Sequence, residues 1–158
     1  MLFGPSKPVI GRSNILIYAP IEAVFSFVGH DFFDNYPRWS SEVIDLKRDF
    51  EGAMKVGSQM QQIRADHGRQ TQSTFVVTQF EEDVCLTFED VAKKYRCFYR
   101  FEQSTHQPTA THLTFIFEFP VLDPLLRPFE KLVRNAVQEG ANNNTKNIKA
   151  LTEKVHRT

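Results

Sequence analysis

Hydrophobic and polar positions along the chain follow two different periods. Residues 9–18 form an apolar, β-branched run that predicts a strand. Ile21, Val24, Phe25 and Val28 then recur at i, i+3, i+4 and i+7, the spacing of one helix face. Pro20 suits the first helical position, because its missing N–H has no intrahelical partner to lose. Gly29 closes this short helix, and residues 31–36 have room for a second helical turn or two before Pro37 stops it. From residue 41 to 119 the period drops to two. Six runs, 42–50, 58–65, 71–80, 84–90, 95–103 and 110–119, are joined by links short enough for hairpins, so they predict an antiparallel meander. Beyond Pro120 the period returns to 3.6. Leu125, Phe129, Leu132, Val133, Ala136, Val137, Gly140, Ala141, Ile148, Leu151 and Val155 make one stripe, predicting a C-terminal helix over 124–155. The fold class is α+β, a sheet of about seven strands with two short helices after the first and one long helix at the end, in a single domain over 1–158.

Residues opposite one another on neighbouring antiparallel strands point to the same face, so the alternation also predicts register. Matching apolar phases pairs Leu86 with Tyr99 and Phe88 with Cys97. The inner face then carries Phe75, Val77, Leu86, Phe88, Tyr99, Phe101, Phe115 and Phe117, punctuated by Tyr95 and Asp90. Cys97 falls on that face and Cys85 on the other, which predicts no bridge between them. Two readings fit so aromatic a face. It is a packed core of space-filling rings, or the rigid wall of a small-molecule site with a few polar groups. Gly140 and Asn144 add to the second reading, since a small and a polar residue on the apolar side of the long helix leave room for a ligand and a hydrogen bond to it.

Charge narrows the partners. Nineteen Lys and Arg balance nineteen Asp and Glu, which excludes the strongly basic footprint of a nucleic-acid binder. Residues 1–8 are too poor in apolar positions for a signal-peptide core, and no run approaches the length of a membrane span. The expectation is a cytoplasmic protein without stable membrane insertion, its two cysteines reduced.

The element order, together with Ala19-Pro20-Ile21-Glu22-Ala23-Val24-Phe25, Tyr36-Pro37-Arg38-Trp39, Val56-Gly57 and Leu151-Thr152-Glu153, resembles the SRPBCC superfamily. These are the START-like and birch-pollen-allergen-like proteins, including the polyketide cyclase/dehydrase branch. The resemblance runs from about Val9 to Val155. It implies a helix-grip fold, a curved sheet wrapped around the long helix with a hydrophobic cavity between them. It also implies a lipid, sterol, polyketide or similar ligand, or a cyclisation or dehydration reaction on one. The superfamily has no universal catalytic signature, so fold alone does not settle function.

The screen for chemistry is short. His30, His67, His106, His112 and His156 show no metal-ligand spacing, and the chain has no nucleophile elbow, Walker loop or dinucleotide fingerprint. No metal and no cofactor is expected. Five residues carry acid–base potential near the expected cavity: Tyr99, Asp90, Arg64, Tyr95, and His30 beside Asp31, where Asp31 also suits helix capping. The ligand walls predicted are Phe75, Phe88, Tyr99, Phe101, Phe115, Phe117 and Phe129, with Trp39 near an entrance and Asn144 as a polar contact. Of Phe32 and Phe33, adjacent on a helix, at most one can face fully inward. Three functions remain open at this point: binding or transport of a hydrophobic small molecule, a cyclase, aromatase or dehydratase, and a protein-interaction scaffold with a collapsed cavity.

Overall fold

A computed structural model describes residues 7–157; the segment 1–6, with its predicted lack of a signal core, lies outside the described residues. The apolar run at the start forms β1 (Val9–Ile17), and the six period-two runs form β2 (Val43–Arg48), β3 (Gln59–Asp66), β4 (Arg69–Glu81), β5 (Cys85–Asp90), β6 (Arg96–Gln103) and β7 (Thr111–Phe119). They make one antiparallel sheet in the order β1-β7-β6-β5-β4-β3-β2. β1 is returned to pair with the last strand, as a meander wrapped around a helix requires. The predicted register is observed: Leu86 opposes Tyr99 and Phe88 opposes Cys97. Both cysteines are free, and Cys85 opposes Arg100 on the outer face.

Local chemistry explains the departures from the sequence reading. Pro20 caps the first helix rather than entering it, its carbonyl accepting from the Ala23 and Val24 N–H groups. α1 (Ile21–Phe25) runs on into a wider π-type turn over Ser26–His30. α2 (Phe32–Trp39) does not stop at Pro37 but contains it. A proline there removes only the one bond its missing N–H would have made, and the Ser40 N–H still reaches the Tyr36 carbonyl at 3.0 Å. The long C-terminal helix begins later than its stripe. Pro124–Phe129 is a 3-10 turn, with Pro128 inside it, and α3 spans Glu130–Arg157. Leu125, Leu132 and Val155 are exposed, so the stripe that packs is shorter than the sequence pattern suggests.

α3 lies along β1. Gly11 allows this closeness: a Cβ there would stand 2.6 Å from the Val137 carbonyl oxygen and 2.8 Å from Val137 Cγ1. Further along, Ser13 Oγ meets Thr145 Oγ1 at 2.8 Å and Lys149 Nζ donates to the Leu16 carbonyl. Ala141, Thr145, Ile148 and Thr152 are the buried face of the helix, at the i, i+4, i+7, i+11 spacing of one helix side. The result is a helix-grip fold, with the core between the concave sheet face, α3 on one flank and α1 and α2 on the other.

Candidate functional site

Register stacks the inner side chains in rows across the sheet. One row reads Val77, Phe88, Cys97, Phe117, Gly11; the next reads Leu86, Tyr99, Phe115, Ser13. Phe32, Tyr36 and Trp39 of α2, spaced i, i+4 and i+7, come down on the middle of these rows. Phe32 lies 5.4 Å from Phe88 and stacks on Tyr36 at 4.7 Å, while Phe75 and Phe88 are 4.5 Å apart between ring centres. Trp39 packs edge-on to Tyr99 at 6.1 Å, and Tyr99 lies 4.8 Å from Phe115. These are contact distances for aromatic pairs, and the residues involved are at most 4% exposed. The half of the cup beneath α2 is therefore filled by its own rings.

The other half is only partly covered. Tyr95, Phe117 and Phe119 form its floor, only partly buried, with Tyr95 stacked on Phe117 at 5.9 Å and Phe117 edge-on to Phe119 at 4.8 Å. α3 supplies the facing wall through Gly140, Asn144, Asn147 and Leu151, which share one side of the helix. Asn147 Nδ2 donates to the Trp39 carbonyl at 3.0 Å and ties this side to the end of α2. Two turns earlier a Cβ on Gly140 would meet nothing within 4 Å. The glycine that permits close helix–sheet approach is Gly11; Gly140 is exposed on the flank of α3 that carries Asn144.

Two groups of polar side chains enter this apolar space. The first joins β3, β4, α2 and Tyr95, the residue just before β6. Tyr36 Oη donates to Gln62 Oε1 at 2.9 Å, and Gln62 Nε2 donates to Tyr95 Oη at 2.9 Å. Ser73 Oγ lies 2.7 Å from the same Tyr95 hydroxyl. Arg64 donates from Nη1 to Tyr36 Oη (3.0 Å) and Ser40 Oγ (3.2 Å), and forms a two-pronged pair with Asp66 at 3.1 Å on each side. Burial pushes the Tyr36 phenol up to about 12, partly offset by the Arg64 charge; burial likewise raises Tyr95, against its bonds to Ser73 and Gln62. These phenols stay protonated at neutral pH and act as neutral hydrogen-bonding groups.

The second group is Tyr99, Trp39 and Asn144. Burial raises the Tyr99 phenol well above its ordinary value, opposed by the side chains of Trp39 and Asn144 beside its hydroxyl. Trp39 Nε1 and Asn144 Oδ1 are both buried, and the Tyr99 hydroxyl is the polar group beside them.

The predicted site residues divide accordingly. Phe75, Phe88, Tyr99 and Phe115 belong to the packed half, and Phe101 sits towards the far end, 5.1 Å from Phe25. Phe117, Asn144 and the buried Trp39 border the open half. Phe129 stands 55% exposed in the 3-10 turn, away from the cup. Asp90 is buried, but its carboxylate accepts from the Lys94 N–H and so holds the β5–β6 hairpin. His30 pairs with Glu82 at 2.7 Å on the surface rather than with Asp31, and Asp31 makes no side-chain cap bond. Of the pair of phenylalanines, Phe32 faces in and Phe33 lies under the Arg48 guanidinium at 5.1 Å. Tyr36, Gln62 and Ser73 were missed. The spacing of Phe32, Tyr36 and Trp39 on one helix face was available to find the first; the other two are polar residues whose inward phase only the register reveals. Two shallow depressions, one of about 270 Å³ lined by Ala23, Phe27, Thr152, Val155 and His156 and one of about 530 Å³ beside Lys146 and Lys149, lie outside the cup. Among the described residues no three His, Cys, Asp or Glu side chains gather as a metal site would require, and no helix is long and apolar enough to cross a membrane.

A family model described as polyketide cyclase / dehydrase and lipid transport matches residues 11–153. The chain belongs to this family. No curated protein matches the sequence, but solved structures do. TTHA0849 from Thermus thermophilus superposes with a TM-score of 0.76 at 15% identity, over 92% of this chain and 98% of that one. A START superfamily protein from Mycobacterium smegmatis gives 0.75 at 16% identity, with coverage of 92% and 98%. The di-domain ARO/CYC StfQ from the steffimycin biosynthetic pathway gives 0.73 at 11% identity, over 96% of this chain and 53% of StfQ. At such identities the likeness establishes the fold. For this member of the polyketide cyclase/dehydrase and lipid transport family, what the site does has to be argued from its own residues.

Proposed function

We propose that the protein binds a hydrophobic small molecule, of lipid or polyketide type, in the open half of the cup. The observation that carries this reading is the partly exposed aromatic floor of Tyr95 stacked on Phe117, with Gly140 bare on the flank of α3 that also carries Asn144. An apolar, concave surface with a few fixed polar groups is the usual composition of a small-molecule site. The packed rings under α2 form a rigid back wall, and the ligand lies against their edge rather than among them. The test is titration with the apolar dye 1-anilinonaphthalene-8-sulfonate. The native protein binds it, and Gly140→Leu, which adds an apolar side chain on that flank without breaking the helix, weakens binding at least tenfold without lowering the melting temperature. No binding by the native protein, or equal binding by Gly140→Leu and Phe117→Ala, overturns the proposal.

A second reading, a cyclase or dehydratase acting on such a ligand, draws on the convergence of Tyr36, Gln62, Arg64, Ser73 and Tyr95 at one edge of the same space. Of the sequence candidates Arg64 and Tyr95 join that group; Asp90 and His30 are occupied elsewhere. Tyr95, partly exposed and stacked on Phe117, is the member this reading assigns to the substrate. If polyketide substrates are turned over, Tyr95→Phe lowers kcat while dye affinity stays within twofold; undiminished turnover removes this reading.

A further inference from the structure

Strand register fixes which loops share an end of the sheet. Asp66 opposes Arg69, Phe75 opposes Asp90, Arg96 opposes Glu118, and Phe119 opposes Val9. The β3–β4 and β5–β6 hairpins therefore project from the same end as the link from β7 into α3, the end at which Tyr95, Phe117 and Phe119 are only partly buried. Large apolar side chains are exposed there. Val91 on the β5–β6 hairpin and Val121, Leu125, Phe129 and Leu132 along the link and the start of α3 are 50% to 82% exposed. Cations stand among them: Lys93 and Lys94 follow Val91, Lys131 precedes Leu132, and Arg69 ends the β3–β4 turn, all exposed. The carboxylates of this end are engaged, Asp66 with Arg64, Glu89 with Lys93, Asp123 with the Leu125 N–H and Glu130 with Arg134. At the other end of β5, the β4–β5 hairpin carries Glu81, Glu82 and Asp83 instead. A chain of zero formal charge thus sets its exposed apolar turns among cations at one end.

We infer that this end docks on the surface of an anionic phospholipid bilayer, with Val121, Leu125 and Phe129 entering the headgroup layer and Arg69, Lys93, Lys94 and Lys131 lying over lipid phosphates and carboxylates. Exposed apolar groups rimmed by polar ones mark a partner surface. Two features select a bilayer over a protein. Lysine is depleted from protein interfaces, whereas each lysine beside an anionic leaflet adds attraction. The apolar side chains also sit on separate turns rather than on one flat face, a shape that a fluid headgroup layer accommodates and a folded partner does not. The acidic β4–β5 hairpin, repelled by the same surface, turns the basic end towards it. The proposal goes beyond the ligand reading and holds whether or not the cup is occupied. It also gives Phe129, which lies outside the cup, a contact of its own.

Vesicle co-sedimentation of the full chain tests this. Vesicles of phosphatidylcholine and phosphatidylserine in equal parts bind it at least about tenfold more tightly than vesicles of phosphatidylcholine alone, and added salt narrows the difference. Lys93→Glu combined with Lys94→Glu weakens binding to the mixed vesicles by about tenfold or more, and so does Leu125→Ser combined with Phe129→Ser. Lys154→Glu, which changes an exposed cation near the far end of α3, leaves it within about twofold. All five positions are exposed, so the variants keep the native melting temperature to within a few degrees. Equal affinity for the two kinds of vesicle, sedimentation with neither, or an equal loss on Lys154→Glu overturns the proposal. So does a dimer in solution that the Leu125/Phe129 variant dissociates, which would assign the apolar turns to a second copy of the chain. Displacement from the vesicles by inorganic phosphate at constant ionic strength would show a site for the free anion and overturns it as well.

Discussion

Truncating Phe88 to alanine removes a ring that is 1% exposed and surrounded by Phe32, Tyr36, Phe75 and Tyr99, with centre separations of 4.5–6.3 Å. Were Phe88 the wall of a cavity, much of this ring would face space and its loss would be mild. Because it is enclosed by rings on α2 as well as on the sheet, the deletion leaves a hole whose lining cannot collapse freely. A buried Phe→Ala change of this kind costs about 3–5 kcal/mol. Against a total stability of roughly 5–15 kcal/mol that is a large fraction, and it lowers the melting temperature by about 6–20 °C for a chain of this size. Phe117→Ala is the internal comparison. Its ring lies at the open edge, only partly buried, and water or neighbouring chains fill the space it leaves, so the loss is about 1–2 kcal/mol from the transfer contribution alone. Urea denaturation followed by far-UV circular dichroism gives both values, provided the slope with denaturant is unchanged. A Phe88→Ala cost below that of Phe117→Ala would refute the division of the cup into packed and open halves.

Two glycines, one on each side of the helix–strand contact, behave oppositely. Gly11→Ala drives a methyl into the Val137 backbone carbonyl and destabilises by about 1–3 kcal/mol, whereas Gly140→Ala meets open space and gains about 1 kcal/mol from helix propensity; thermal melts of the two variants check the sign of each. Alkaline pH weakens the fold. Burial raises the Cys97 thiol and the phenols of Tyr36, Tyr95 and Tyr99, so the folded state keeps protons that the unfolded chain releases near pH 8.5 for cysteine and about 10 for tyrosine. Stability from these groups is complete below about pH 8 and declines as pH rises through those unfolded values towards the raised folded ones. Denaturation midpoints at pH 7, 9 and 10.5 should fall in that order, and a midpoint constant to pH 10.5 contradicts the burial of these groups.

The fold was legible because each element carries its own period and because strand pairing links one pattern to the next. The alternation alone placed Leu86 opposite Tyr99 and Phe88 opposite Cys97. What the sequence withheld were contacts between elements of different period. Whether α2 would lay Phe32, Tyr36 and Trp39 across the aromatic rows depends on how the chain turns after β1, and that turn contains a π-type stretch no apolar pattern announces. Phe129 shares the helical stripe, yet Pro128 keeps its turn from being α-helical, and the residue ends up outside the cup. Asp90 and His30 have acid–base side chains, but a hairpin N–H and a surface glutamate occupy them. Gln62 and Ser73, polar in composition and inward in register, were invisible to a search for apolar faces. Gly140 was noticed for its size, while the space beside it could be seen only in three dimensions.

The central claim is that a hydrophobic molecule enters between α3 and the half-exposed floor of the sheet, not among the rings under α2 and not in the depression near His156. A ¹H–¹⁵N NMR titration with 2-naphthol tests it residue by residue. The account predicts shifts concentrated at Gly140, Asn144, Tyr95, Phe117 and the Trp39 indole N–H, with Phe25, Phe101, Val155 and His156 unmoved. Shifts centred on Ala23, Thr152 and His156, or no saturable shifts at all, would contradict it.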